Sequence, residues 1–213
     1  SYVNDYTEIN IEACVLYRNT AKYGGAIRIR SKTESNITNS IFYENLATDY
    51  GGAVSHSSFR GDFEYNTFYS NRAVMEGGAI QAAKFDNDLT TDVRSGFHSN
   101  IFDQNIKATN TTNVIGSDIS VGSGTQSNNR LSTNNVFGKN RIQYVATYLD
   151  FNGTGGGSSI VNPLYTTASV PFANTATKDF RLHYSTDFEG SIYGNTLNDT
   201  FDIAGKPRRI GPS

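Results

Sequence analysis

Three stretches decide the fold: LYRNTAKYGGAIRI (Leu16–Ile29), FYENLATDYGGAVSH (Phe42–His56) and FYSNRAVMEGGAIQA (Phe68–Ala82). Each opens on an apolar residue, places Asn three positions later and then writes Gly-Gly-Ala followed by Ile or Val. The copies start 26 residues apart, at 16, 42 and 68. Self-similarity at such a period is the mark of a solenoid, in which each unit buries its core only by stacking on its neighbours.

The register extends in both directions from these copies. The repeat Asn falls at Asn19, Asn45, Asn71, Asn105 and Asn140, so the later units carry insertions. Three residues before each sits Leu16, Phe42, Phe68, Phe102 and Phe137. Five before sits Cys14, Ser40, Asn66, Asn100 and Asn135. Eight before sits Ile11, Ile37, Phe63 and Phe97, then Ser132, where the pattern weakens. Gly116-Ser117-Asp118-Ile119 reads as a degenerate fourth copy of the Gly-Gly segment.

Local pattern makes these units β rather than helical. Apolar residues alternate with period two over short runs such as NITNSIF (Asn36–Phe42), bounded by Gly, Asn, Ser and Thr. Those residues are poor helix formers. A unit of this length fits three short strands and three turns, with successive units about 4.8 Å apart. Parallel crossovers are right-handed in nearly all cases. The chain is therefore expected to be all-β, a right-handed single-stranded parallel β-helix of about five coils over residues 1–145. Residues 146–213 are expected to form an irregular C-terminal loop and capping segment of the same domain. The Gly- and Ser-rich run DFNGTGGGSSIVNPLY (Asp150–Tyr165) opens that segment.

Stacked coils put each Asn above its equivalent. An amide carries both donors and an acceptor, so such a column can bond along the axis. Asn19, Asn45, Asn71, Asn105 and Asn140 are assigned to one structural ladder. Ser40, Asn66, Asn100 and Asn135 are assigned to a second, with Cys14 as its odd member. Asn also tolerates the left-handed conformation that sharp turns need.

These residues carry a resemblance. The F-x-x-N…G-G-A-I repeat resembles the β-helix repeats of polymorphic outer-membrane proteins. KDFRLHYSTDFEGSIYGN (Lys178–Asn195) and DIAGKPRRIG (Asp202–Gly211) resemble the C-terminal end of choice-of-anchor Q domain proteins. Those are large surface or secreted proteins of Bacteroidota-like bacteria. The resemblance implies an extracellular or cell-surface location on a Gram-negative bacterium and a tail that closes the helix. It also implies further coils or domains of the same polypeptide. The start, SYVNDYTEINIEAC, runs directly into a repeat, which reads as a processing site, an expression boundary or earlier coils before Ser1.

Composition narrows the partners. A net charge of −2, from 18 Lys and Arg against 20 Asp and Glu, leaves no basic footprint for nucleic acid. No apolar run is long enough to span a bilayer as a helix. One cysteine forbids an internal disulfide.

Two function classes are weighed. A non-catalytic adhesin or scaffold module, touching glycans or a surface protein, is favoured. The alternative is a polysaccharide lyase or glycoside hydrolase with its site on one helix face. An enzyme needs convergent carboxylates or bases, and paired carboxylates in a hydrolase stand about 5–9 Å apart. The sequence offers Asp86, Asp88 and Asp92 with Arg94 in one insertion, a weak calcium candidate that a solvated loop explains as well. His56, His98 and His183 are scattered without metal-ligand spacing, and Arg208 and Arg209 read as structural ion-pair partners. No other cofactor is implied.

The stronger surface signal is aromatic. Tyr17, Tyr43 and Tyr69 sit two residues before the ladder Asn, next to inward Leu16, Phe42 and Phe68. Alternation points them outward as an exposed column, and Tyr23 and Tyr50 precede two of the Gly pairs. These five tyrosines are the candidate ligand-binding residues. Against that stands a purely structural use, since aromatic neighbours stabilise strand pairing.

Overall fold

The computed structural model describes residues 6–83, 96–107, 118–121, 136–137, 145–147, 164–165 and 172–182. The first coil runs through β1 (Thr7–Glu12), β2 (Val15–Tyr17), β3 (Thr20–Tyr23) and β4 (Ile27–Ile29). The second repeats it as β5 (Thr33–Thr38), β6 (Ile41–Tyr43), β7 (Leu46–Tyr50) and β8 (Val54–His56). The third is β9 (Asp62–Glu64), β10 (Thr67–Tyr69), β11 (Arg72–Ala73) and β12 (Ile80–Ala82). The fourth is β13 (Gly96–His98), β14 (Ile101–Asp103), β15 (Ile106–Lys107) and β16 (Ile119–Val121). Then come β17 (Val136–Phe137), β18 (Val145–Thr147) and β19 (Leu164–Tyr165), and a closing pair, β20 (Phe172–Asn174) and β21 (Asp179–Leu182).

Equivalent strands stack in parallel. Phe42 lies opposite both Leu16 and Phe68, and Phe68 opposite Phe102. Ile37 lies opposite Ile11 and Phe63. Four sheets result: β1-β5-β9-β13, β2-β6-β10-β14-β17-β19, β3-β7-β11-β15 and β4-β8-β12-β16-β18. The chain is a parallel β-helix. The second sheet has six strands, so at about 4.8 Å per step its stack is roughly 24 Å long. Its last strand, β19, extends the stack past residue 145.

There are four sheets where the repeat length suggested three strands per coil. The reason is the Gly pair. Gly24, Gly51 and Gly77 have φ of 58, 68 and 65°, a left-handed bend that splits the expected third strand in two.

The core follows the apolar columns. Ile37, Phe42, Phe63, Phe68, Phe97 and Phe102 are fully enclosed. Phe42, Phe68 and Phe102 stack as parallel rings, 4.9 and 5.0 Å apart at 10 and 5°. Phe59, from the loop after β8, fills space between His56, Phe63 and Phe97.

Both Asn ladders form. Asn45 donates from its backbone N and from Nδ2 to Asn71 Oδ1, at 3.1 and 3.0 Å, and from Nδ2 to the Leu16 carbonyl at 2.9 Å. Asn71 repeats this toward Asn105 Oδ1 and the Phe42 carbonyl. Asn45 and Asn71 therefore each tie three coils. Asn105 ends the described run by donating to the Phe68 carbonyl and to Asp118 Oδ1. In the second ladder Cys14 N bonds Ser40 Oγ, Ser40 N bonds Asn66 Oδ1, and Asn66 bonds Asn100 Oδ1. Asn135 and Asn140 lie outside the described residues.

The left-handed residue is not the Asn itself. It is the residue before it: Arg18, Glu44, Ser70 and Gln104 in one column, Ala13, Asn39, Tyr65 and Ser99 in the other, all with φ between 51 and 57°. The Asn column bonds the strained turn in place, so residues of almost any kind stand at the strained position.

Asn71→Ala should cost about 1–3 kcal/mol, because the buried Asn45 N–H and Phe42 carbonyl lose their partner. Asn19→Ala should stay within about 0.5 kcal/mol. Asn19 is exposed, and its backbone N still reaches Asn45 Oδ1 after the change. Urea titrations of the two variants check this, and equal costs would refute ladder control of stability.

Candidate functional site

The second sheet presents Tyr17, Tyr43 and Tyr69 outward in register, as expected from alternation with Leu16, Phe42 and Phe68. The Tyr17 and Tyr43 rings stack at 4.9 Å and 7°. Exposure differs along the column. Tyr17 is 52 % exposed, whereas Tyr43 and Tyr69 are each 8 % exposed. The expectation of an open three-ring strip is corrected to one open ring.

The cover comes from the chain's own C-terminal side. The antiparallel β20–β21 hairpin lays Phe172 and Phe180 on the column. Phe180 meets Tyr43 at 5.3 Å and Tyr69 at 5.1 Å, and Phe172 meets Tyr69 edge-on at 5.7 Å. Phe172 and Phe180 pack on each other at 5.3 Å and 87°. Outward tyrosines on a sheet face form a broad apolar surface, and burying it against two phenylalanines is favourable for that reason. Tyr17 lies one coil beyond the hairpin. Val15 beside it is 50 % exposed.

A charged group closes the same edge. Glu44 accepts from Lys178 Nζ of the hairpin and from Arg18 Nε of the first coil, the latter at 2.7 Å. Lys178 Nζ also sits 5.2 Å from the centre of the Tyr43 ring. The Lys178 hydrogen bond, and then that of Arg18, hold the Glu44 carboxyl below the usual glutamate range.

Tyr23 and Tyr50 form a second parallel pair, 6.2 Å apart at 7°, half-buried before Gly24 and Gly51. The Arg28 guanidinium lies 4.3 Å over Tyr23 and the Lys22 ammonium 5.4 Å from it. Ser55 Oγ donates to Gln81 Oε1 on the adjoining strand, and Ser120 Oγ donates to Glu76 Oε2.

The remaining candidates separate. His56 is wholly buried, its Nδ1 accepting from Ser58 N and its Nε2 3.2 Å from Ser35 Oγ, which is a packing role. His98 lies in β13. Cys14 takes its ladder place at the exposed first coil, its Sγ donating to the Glu12 carbonyl at 3.2 Å. Asp86, Asp88, Asp92, Arg94, His183, Arg208 and Arg209 lie outside the described residues. Among the described residues, no three His, Cys, Asp or Glu side chains converge as a metal site.

One feature of the first sheet escaped the sequence reading. Asn36 Nδ2 donates to Asn10 Oδ1 and Asp62 N to Asn36 Oδ1, making a third ladder on an outer face. Its signal was present in the spacing of 10, 36 and 62, hidden because Asn, Asn and Asp do not look like one column. Glu8, Glu12, Glu34 and Glu64 share the sheet with it, and Arg60 pairs with Glu34 at 3.0 Å.

Comparison with protein-family models, curated proteins and solved structures finds no match. Among the described residues no helix is long and apolar enough to cross a membrane.

Proposed function

We propose that this chain is a non-catalytic β-helix module of a surface or secreted bacterial protein, acting as a rigid scaffold that carries contacts on its outer faces. The observation that carries this reading is where the recurring side chains go. The Asn columns are used up in bonds between coils. The tyrosine column, the most regular outward feature, is sealed at Tyr43 and Tyr69 by the chain's own hairpin. A catalytic solenoid instead holds acids and bases convergent on one open face. The resemblance of the repeat and tail to choice-of-anchor Q domain proteins supports the same reading and the cell-surface location.

Glycan or protein contact falls on the aromatic surface left open: Tyr17, and the Tyr23–Tyr50 pair with Arg28. Ring faces with nearby hydrogen-bonding groups suit sugar binding, and a preformed sheet loses little entropy on contact. A glycan array with a turnover screen on acidic and neutral polysaccharides, with and without calcium, tests this. The expected result is no turnover, and binding that falls in the Tyr17→Ala, Tyr23→Ala, Tyr50→Ala triple variant. Product formation by the wild type would establish the lyase or hydrolase reading in its place.

A further inference from the structure

We propose that the β20–β21 hairpin is a releasable strap, latched through Glu44, that opens from the tyrosine column while the coils stay folded. The argument starts from an asymmetry of dependence. The coils hold themselves: four parallel sheets, two buried Asn ladders and a continuous phenylalanine stack join them. An isolated two-stranded hairpin is marginal in water and must lean on something. This one leans on the column through the side chains of Phe172, Phe180 and Lys178. The element that depends on the rest, and on which the rest does not depend, is the one that opens first.

The hairpin is also preformed for docking. Asn174 Oδ1 accepts from Ala176 N and Thr177 N across the turn, at 3.0 and 3.2 Å. Lys178 follows with φ of 60°, which sends its ammonium to Glu44. Glu44 is faced by Arg18 from the first coil and Lys178 from the hairpin, over the Tyr43 ring. One carboxylate thus joins the strap to two coils. Release adds Tyr43 and Tyr69 to the open ring of Tyr17, and the face becomes a three-ring ribbon in one register.

The latch has a predictable pH response. A carboxyl held below its ordinary range contributes stability that is present above the unfolded pKa and lost as pH falls through the folded one. The strap should therefore stay latched at neutral pH and loosen only in acid, once pH has fallen below the ordinary glutamate range.

Hydroxyl-radical footprinting read by peptide mass spectrometry tests the strap on the whole chain. At neutral pH wild-type Tyr17 should label about tenfold faster than Tyr43 and Tyr69, which open only with the strap. In Phe180→Ala, and more mildly in Glu44→Gln, labelling of Tyr43 and Tyr69 should rise to within about threefold of Tyr17. Phe42 and Phe68 should remain protected in both. Glu44→Gln should also remove the acid response between neutral pH and the onset of global unfolding. The idea is overturned if Tyr43 and Tyr69 stay protected in both variants. It is equally overturned if Phe42 and Phe68 become labelled together with the tyrosines, since hairpin and coils would then be one cooperative unit. Should Phe180→Ala fail to fold, Glu44→Gln, a change at a partly exposed turn, decides alone.

Discussion

Gly52→Ala should prevent the second and third coils from closing on each other, at a cost of more than about 4 kcal/mol, beyond the range of ordinary point changes. A Cβ built on Gly52 stands 1.9 Å from the Gly78 carbonyl oxygen and 2.6 Å from the Arg72 nitrogen. Both neighbours are backbone, so no side chain can swing aside. Moving them would break Gly52 N to the Gly77 carbonyl at 2.8 Å and Arg72 N to the Asn45 carbonyl at 2.8 Å, which hold the corner in register. Gly25 has the same problem one coil earlier, 2.2 Å from the Gly52 oxygen and 2.7 Å from the Leu46 oxygen. In the first two pairs the glycines thus have different duties: Gly24 and Gly51 bend the chain at positive φ, while Gly25 and Gly52 let coils touch. Circular dichroism and thermal melting check the prediction. A Gly52→Ala protein melting within a few degrees of wild type would mean that the coils are further apart at this corner than the close approach implies.

The repeat was legible because stacking repeats a chemical demand at a fixed interval. Phe42 and Phe68 announce a column, as do Asn45 and Asn71, since each meets its own kind across the coil. Features with no equivalent in the next coil were not legible. Phe59 fills the core beside Phe63 and Phe97, yet 26 residues earlier stands Thr33. His56 occupies an inward position shared with Ile29 and Ala82, so its burial follows from register and not from residue type. The left-handed turns were misplaced by one residue because Asn is the residue type expected there. In the molecule Asn71 and Asn45 bond the turn, and Ser70 and Glu44 bear the strain.

The candidate site was half legible for a related reason. Period-two alternation fixes which way Tyr43 and Tyr69 point, and they do point outward. It carries no information on what a segment over 100 residues later lays on top of them. Phe172 and Phe180 look like unremarkable apolar residues in a polar stretch. Only the fold brings them to the column, with Lys178 reaching Glu44 across 134 positions. Local pattern determines faces, and long-range return of the chain determines which faces are open.

Phe68→Ala carries the second large effect, a loss of about 3–5 kcal/mol, the range for a buried aromatic truncated to alanine. The ring is fully enclosed and lies between Phe42 at 4.9 Å and Phe102 at 5.0 Å, both nearly parallel to it. Truncation empties the middle of the stack, and the cavity cannot collapse easily. The backbone on each side is pinned by Asn71 to the Phe42 carbonyl and by Asn105 to the Phe68 carbonyl. Phe68→Leu keeps most of the volume and should cost under about 1.5 kcal/mol. Val15→Ala, half-exposed on the same sheet, should change stability by no more than about 0.5 kcal/mol. In a solenoid each coil is held by its neighbours, so loss at a central coil should weaken the ones on either side. Urea unfolding followed by circular dichroism and tyrosine fluorescence should therefore show the Phe68→Ala transition moving as a whole to lower denaturant. A Phe68→Ala midpoint matching that of Val15→Ala would place the ring outside the core, and with it the register on which the inward and outward faces are assigned.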